Sequence, residues 1–399
     1  MTNLRVDIAI VGGGLVGASL ALPLRDSPWS IALIEAAPPP ALAPAWDERC
    51  IALNDASRRI FEGFDLWAEL QAQTAAITAT HISERGRFGV ARFTAAEANL
   101  AALGHNTPLR ALGAALLARA TTQTNLAWLC PARVQGLVLQ TDAAVLTLED
   151  GRTLSTRLVV AADGAQSALR SLLGLRVEVN DYAQSAIVTA VRVQRDPQGV
   201  AYERFTPEGP LAVLPKPRLP GDADEGHPCS LIWTLPTAQA DARKVEDEAR
   251  FIAAAQATFG ERLGRFLSVG RRIAYPLQRT VAETLTAPRV VFCGNAAQSL
   301  HPVAAQGFNL GLRDVAGLAT RLASCKDPGD ASLLADYAAA RAADRHSTAD
   351  FTHQLVRLFS NRLPVVSSLR SLGLVAMDLT PPVKDSVLRQ NLGHAGWPA

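Results

Sequence analysis

Three short stretches of the chain carry residue types whose spacing could do chemistry. Gly12, Gly14 and Gly17 stand as G-x-G-x-x-G directly after an apolar run, and Glu35 closes the next one. Asp163-Gly164 opens a D-G-x-x-S-x-x-R pattern completed by Ser167 and Arg170. Gly294-Asn295 is followed by His301-Pro302 and then by Gln306-Gly307-Phe308-Asn309. The first grouping suits a dinucleotide. Gly12 permits a sharp turn, Gly14 lets a pyrophosphate reach the backbone, and Gly17 lets a helix pack close to a sheet. The free N–H groups and positive dipole end of that helix would face the pyrophosphate. A carboxylate at Glu35 can take both hydroxyls of an adenosine ribose and would repel a 2′-phosphate, which argues against NADP at this site. The unit is expected to bind an ADP moiety; FAD and NAD remain to be separated.

The other two stretches are less decisive alone. Asp163 could accept from a ribityl or ribose hydroxyl, with Gly164 allowing close approach. Gly307 and Gly311 remove side chains on one face of a helix opened by Gln306, whose N-terminus favours negative charge on a ligand. A reduced flavin carries such charge near N1 and O2. His301 reads equally as a structural or a catalytic histidine. For Arg49 the residues leave open a surface ion pair or a cofactor contact, and for Arg110 a solvated arginine or a cofactor contact.

The elements that must position these residues can be read from periodicity. Leu4–Val11, the glycine turn, Ala18–Leu24 and Ile31–Ile34 predict strand, turn, helix, strand. Pro38 through Pro44 predicts a stiff loop. Asn54 is placed to cap a helix burying Ile60, Phe61, Phe64, Trp67 and Leu70. Strands are expected within 77–93, a helix over Pro108–Ala120, and a hairpin from Val145–Leu148 to Leu154–Val160 turning at Asp150-Gly151. From Asp181 short β-prone segments predominate: Ala186–Val193, Val200–Phe205, Leu211–Leu214 and Ser230–Leu235. Pro215–Pro228 reads as a mobile loop, Asp241–Phe259 as a helix and Phe266–Pro276 as a strand. The last 70 residues read as helices. Of these, Pro364–Leu379 is expected to serve core packing, with a cover over the site, a partner or a membrane surface as alternatives. No internal repeat is evident.

Composition limits the function classes. Lys plus Arg number 39 against 37 Asp plus Glu, so there is no broad charge footprint for nucleic acid. A hydrophobic fraction of 48% supports a substantial core. The five cysteines are widely spaced with no C-x-x-C, favouring reduced thiols in a cytoplasmic protein over disulfides or a zinc site; no metal site is expected. The short N-terminal apolar run leads straight into the glycine turn and is not expected to be a signal peptide. No apolar run reaches the length of a membrane span.

Taken together and in this order, the three motifs resemble those of the group A flavoprotein aromatic hydroxylases, the class of 4-hydroxybenzoate hydroxylase, over nearly the whole chain. The family motifs fall on Gly12, Gly14, Gly17 and Glu35, on Asp163 and Gly164, and on Gly294 and Asn295. Asn295 replaces the usual aspartate and Gln298 the usual histidine, so the ribityl contact would be made by a neutral amide. The string GNAAQSLHPVAAQGFNLGLRDV, with D-x-R-x-x-A-L at Asp47–Leu53 and MDLTPPVKD near the end, is similar to the ubiquinone-biosynthesis branch, the UbiH type of 2-polyprenyl-6-methoxyphenol hydroxylase.

The resemblance implies an α/β plus α+β protein: a Rossmann-like FAD-binding domain (1–75, 100–180 and 276–330) interleaved with a β-sheet substrate domain (76–99 and 181–275), then a C-terminal helical region (331–399). It implies FAD as resident cofactor and NAD(P)H as a transient reductant. Oxygen would pass from O2, through a flavin C4a-hydroperoxide, to the ring of a polyprenyl phenol. It adds Arg49, Arg110, Val134, Pro302, Gln306, Gly307, Phe308 and Asn309 to the cofactor contacts. His301, Pro302 and Arg49 become the candidates nearest the chemistry, with His301 relaying the phenol proton. It also implies contact with other ubiquinone-biosynthesis proteins or peripheral contact with the inner membrane. The alternatives are hydroxylation of a small soluble aromatic or of another ubiquinone ring position, reduction of prenyl double bonds, and a non-catalytic FAD-bound scaffold.

Overall fold

The computed structural model describes residues 3–38, 45–219, 225–360 and 364–395. Most of the proline loop expected through Pro44 and the centre of the 215–228 loop lie outside the described residues.

The first sheet explains why three separated motifs can meet. Strand Asn3–Val11 lies between two parallel neighbours, Thr153–Ala161 and Ile31–Ile34. Outside these, Val290–Phe292 pairs with Thr153–Ala161, and Leu126–Leu129 with Ile31–Ile34, again in parallel. The strands are near-continuous runs of Ile, Val, Leu and Ala, as burial on both faces demands. Val11 is level with Ala161, and Ala161 with Phe292. Each motif follows the carboxyl end of one of these strands, so all three loops emerge at one edge, where open α/β sheets bind ligands. The expected hairpin is present: Ala144–Leu148 pairs antiparallel with Thr153–Ala161, and Gly151 turns at φ +83°.

The second sheet runs from Gln298–Ser299 through Ile273–Ala282, Val177–Val193, His227–Pro236, Leu211–Pro215, Val200–Phe205 and Ala79–Glu84 to Val90–Thr94. It begins before the expected boundary at 181 and continues past that at 276, because Val177 pairs with Ala282 in one long antiparallel ladder. Its outer face packs Leu211, Val213, Leu231 and Trp233 against helix Glu248–Phe259. The single helix expected over Asp241–Phe259 is two, Thr237–Val245 and Glu248–Phe259, and Asp247 caps the second by accepting from the Arg250 N–H. A three-stranded sheet of Cys50–Asn54, Gly104–Pro108 and Ala75–Ile77 joins the two larger ones.

Helix Gln306–Leu322 packs against helix Ala331–Ser360; Pro364–Leu379 and Pro381–Leu392 follow. The last two fold back over the inner face of the second sheet, where Leu374, Leu388 and Leu392 bury with Ala91, Phe93 and Phe205. Pro364–Leu379 thus combines two readings: it packs in a core and covers the cavity described below. No described helix is long and apolar enough to cross a membrane.

Candidate active site

The glycine turn is shaped by two close approaches. Gly12 adopts φ +104°, and a Cβ there would lie 2.3 Å from the Ala162 carbonyl oxygen. A Cβ on Gly17 would lie 1.9 Å from the carbonyl oxygen of Gly12. The first pins the turn to the Asp163 loop, and the second seats helix Leu15–Ala21 against the turn. Glu35 braces the turn from the next strand: its carboxylate accepts from the Gly13 N–H at 2.7 Å and the Ala37 N–H at 3.0 Å.

The Asp163 loop is tied to the third motif by an arginine. Ser167 caps helix Ala168–Leu172, and Arg170 on its first turn donates to the carbonyl of Ala296 at 2.8 Å and to that of Ala165. This is the physical content of the D-G-x-x-S-x-x-R spacing: the arginine staples two cofactor loops together. Asp163 accepts from the Leu169 N–H through Oδ2 at 3.2 Å, while its buried Oδ1 has no partner among the described residues.

A buried ionic network holds the Gly294-Asn295 loop. Asp314 accepts from the Gly294 N–H at 3.3 Å, the Gln298 amide at 2.7 Å and Arg341 at 2.9 Å. Asp344 accepts from Arg313 at 2.8 Å and Arg341 at 2.6 Å. The Gln298 oxygen takes a bond from Arg345 at 2.7 Å. Burial pushes the Asp344 carboxyl up, but Arg313 and Arg341 outweigh it and hold the group below the usual carboxylate range. Gln298 therefore acts as a neutral two-way link. It donates to an aspartate and accepts from an arginine, and a neutral histidine could do the same only with its two ring nitrogens in fixed roles.

The helix after this loop opens into space. Ala305 precedes it in the left-handed region (φ 49°). The Asn309 side chain fixes its first turn, donating to Ala52 and Ala305 carbonyls at 2.9 and 2.6 Å and accepting from the Asn54 N–H at 3.1 Å and Ser57 Oγ at 2.6 Å. Asn54 caps its own helix through the Ser57 N–H, as expected. A cavity of about 1150 Å³ begins here. Gly14, Gly164, Asn295, Pro302, Gly307, Phe308 and Asn309 line its near end. The sheet face and the C-terminal helices line the rest, the helices through Leu355, Leu374, Met377 and Leu388.

Several expected contacts fall elsewhere. His301 does not line this cavity: it is 1% exposed, its Nδ1 accepts from the Val303 N–H at 3.1 Å, and its ring meets Tyr182 edge-on at 5.2 Å. Burial pushes its pKa down to about 4. It is a neutral ring buried beneath the cavity wall, away from the lining where the expected proton relay would place it. Arg49 is turned outward, bonded to the Tyr275 hydroxyl with its guanidinium 5.8 Å from that ring's centre. Arg110 is neither solvated nor in the cavity lining: it pairs with Glu48 at 2.9 Å. Val134 is a core residue, 6% exposed, on a strand of the first sheet. Gln306 is buried and reaches back to the Asn391 carbonyl at 3.3 Å. The sequence reading missed Arg170's staple and the Arg313–Asp314–Arg341–Asp344–Arg345 network. The i, i+3, i+4 spacing of the last three was the available signal.

The residues present fit a flavin dinucleotide. A Cβ on Gly14, Gly164 or Gly307 would meet nothing within 4 Å, so three backbone segments face open space. Asp163 Oδ1 is a buried acceptor awaiting a donor, and the Asn295 amide faces the cavity with no hydrogen bond to the described residues. Among the described residues no cluster could hold a metal ion.

Comparison with known proteins agrees. The profile of the FAD binding domain family matches residues 5–352. The chain is 36% identical to the ubiquinone hydroxylase UbiL of Rhodospirillum rubrum over 97% of this chain and 89% of that one. It is 31% identical to the 3-demethoxyubiquinol 3-hydroxylase of Escherichia coli over 98% of this chain and 100% of that one. Its fold matches the p-nitrophenol 4-monooxygenase PnpA of Pseudomonas putida with a TM-score of 0.79 at 16% identity, covering 98% of this chain and 99% of that one. The chain belongs to the FAD binding domain family, in its ubiquinone hydroxylase branch, and is an FAD-dependent aromatic monooxygenase that acts on a phenolic substrate with O2.

Proposed function

We propose that the chain hydroxylates the ring of a polyprenylated phenol, of the 2-polyprenyl-6-methoxyphenol type, in ubiquinone biosynthesis. One observation supports this above the others: the cavity lined by the flavin loops is lined also by Leu355, Leu374, Met377, Val387 and Leu388 of the C-terminal helices, a mainly apolar wall. Each buried CH2 of a tail contributes roughly 0.8 kcal/mol, so such a groove holds a prenyl chain without polar contacts. FAD, when bound, supplies the redox and oxygen chemistry, with NAD(P)H as its reductant. In this reading Gly12, Gly14, Gly17 and Glu35 hold its ADP end, Asp163 and Asn295 its hydroxylated chain, and the N–H groups at Gly307–Asn309 its ring. The C-terminal helices close the site against water.

A small aromatic acid would need an unpaired cation in the wall. Arg370 is the only basic side chain lining the cavity among the described residues, and it pairs with Glu84. The substrate is drawn from a membrane by a protein working in the cytoplasm, at the membrane surface or beside other biosynthetic proteins. Exposed Phe88, Leu372, Leu379 and Val383 suit such a contact. The test is mass spectrometry of quinone intermediates in cells lacking this chain. Accumulation of a polyprenyl phenol lacking one ring hydroxyl is expected, and an unchanged quinone profile would contradict the reading.

A further inference from the structure

Strand Val200–Phe205 carries a carboxyl on the cavity face of its sheet. Alternation puts Ala201, Glu203 and Phe205 on the cavity side, while Tyr202 packs on the other, against Phe259 (5.7 Å between ring centres) and His81 (5.6 Å). Glu203 stands level with Ile82 on one neighbouring strand and Ala212 on the other. Ala212 is level with Ile232, and Ile232 with Val188. All five line the cavity, so the row across the sheet reads Ile, Glu, Ala, Ile, Val. A lone carboxyl in the middle of an apolar row lowers stability unless it has a use. No hydrogen bond or ion pair joins it to the described residues.

We propose that Glu203 is a catalytic residue: it accepts the phenolic hydroxyl of the substrate and takes its proton as oxygen reaches the ring. This rests on the hydroxylase reading above. The balance is simple. A ring π pair forms the new C–O bond, the O–H pair becomes the carbonyl of a ring dienone, and the proton passes to the carboxylate. Loss of the hydrogen from the attacked carbon restores the aromatic ring, so C–H has become C–OH. O2 and NAD(P)H, already required by a flavin monooxygenase, supply the oxygen atom and two electrons, and the second oxygen leaves as water. Proton removal is timed to the attack because a phenol is a weak acid until its ring is being oxidised.

The surroundings tune the group for this. Burial raises the Glu203 carboxyl to about 7, with no charged neighbour offsetting it. Of the groups around it, Tyr202, Arg204 and His81 belong to the opposite face by alternation. Glu84, on the adjacent strand, is paired with Arg370 of the covering helix. The Cys50 thiol, elsewhere in the lining, is pushed up to about 11 by burial and stays neutral. A base with a pKa near the working pH is the effective kind.

The experiment compares holoenzyme with Glu203→Gln and Glu203→Asp, using 2-geranyl-6-methoxyphenol and its methyl ether. The wild type should bind the phenol more tightly than the ether, and its kcat/KM should rise with pH about a midpoint near 7. Glu203→Gln should retain FAD and the amide oxygen's hydrogen bond to the phenol, lose the pH limb and hydroxylate about 100-fold more slowly. Glu203→Asp should keep the limb at a reduced rate. Hydroxylation by Glu203→Gln within about threefold of wild type, with the limb intact, would overturn the assignment. So would a wild-type profile that is flat between about pH 6 and 8, whatever the variants do. A wild type that hydroxylates no prenylated phenol overturns the hydroxylase reading, and this assignment with it.

Discussion

At the Gly294-Asn295 end of the cavity, a buried ionic network holds the loop and backbone does the shaping. Asp314 alone holds a loop N–H, an amide and a guanidinium. Across the cavity, the sheet face and the C-terminal helices present mainly apolar side chains, together with Thr80, Thr234, the paired Arg370 and the carboxyl of Glu203. A cofactor has one structure and must be held in one geometry, which charged hydrogen bonds with fixed directions provide. A prenyl tail is long, repetitive and variable, and non-directional burial suits it. Rigidity is concentrated where the ligand is constant and tolerance where it varies.

Five substitutions would break or sharpen that contrast. Asp314→Asn should do most, because it leaves Arg341 with less compensation in a buried site. Breaking such a pair costs about 3–5 kcal/mol, so thermal unfolding should shift down and flavin fluorescence should rise as FAD is released. Gly17→Ala drives a methyl against the Gly12 carbonyl and should cost about 1–3 kcal/mol of stability, with FAD affinity falling in step by fluorescence titration. Asp55→Asn probes the C-terminal tether. Asp55 binds His394 at 2.9 Å and pairs with Arg58 and Arg59. Burial opposes its ionisation, yet His394 and the arginines hold its pKa down to about 2. Its stabilisation is therefore complete above its unfolded value near 4 and is lost as pH falls towards 2. Denaturant unfolding should show a loss of about 2 kcal/mol at neutral pH that shrinks through that window.

Leu355→Ala, on the apolar side, should leave FAD untouched and raise KM for a long-tailed phenol about tenfold, with little change for a short-tailed one. A tail-independent effect would remove the C-terminal helices from the tail site. The smallest change is expected of His301→Gln. Flavin reduction and hydroxylation, measured separately by stopped flow, should alter alike and by less than about threefold. A selective loss of hydroxylation would restore this histidine to the chemistry.

The cofactor end was largely legible in the sequence because each of its motifs is contiguous. A strand, a glycine turn and the next helix lie within about one supersecondary unit, and their spacing is set by local geometry. Asn54 could be read as a cap for the same reason. What could not be read depends on which elements meet. Arg341, Asp344 and Arg345 look like a solvated helix face until helix Ala331–Ser360 is packed on Gln306–Leu322, where they become its buried seam. Glu203 is an ordinary alternating residue until one knows that its face of the sheet is the cavity. His301 carried a neutral-range side chain into the argument, and only its burial beside Tyr182 shows why that value does not apply. That one ladder spans both 181 and 276 could not be read either, because a ladder is defined by its partner, which composition does not reveal.

The central claim is that one oxygen atom of O2 is delivered into a phenol ring held between the flavin loops and the apolar helices. Purified holoenzyme should be supplied with NAD(P)H, 2-geranyl-6-methoxyphenol and ¹⁸O2, and the product analysed by mass spectrometry. The account predicts one labelled oxygen on the ring and none acquired from water. An unlabelled product, or NAD(P)H consumed with the phenol unchanged, would contradict it.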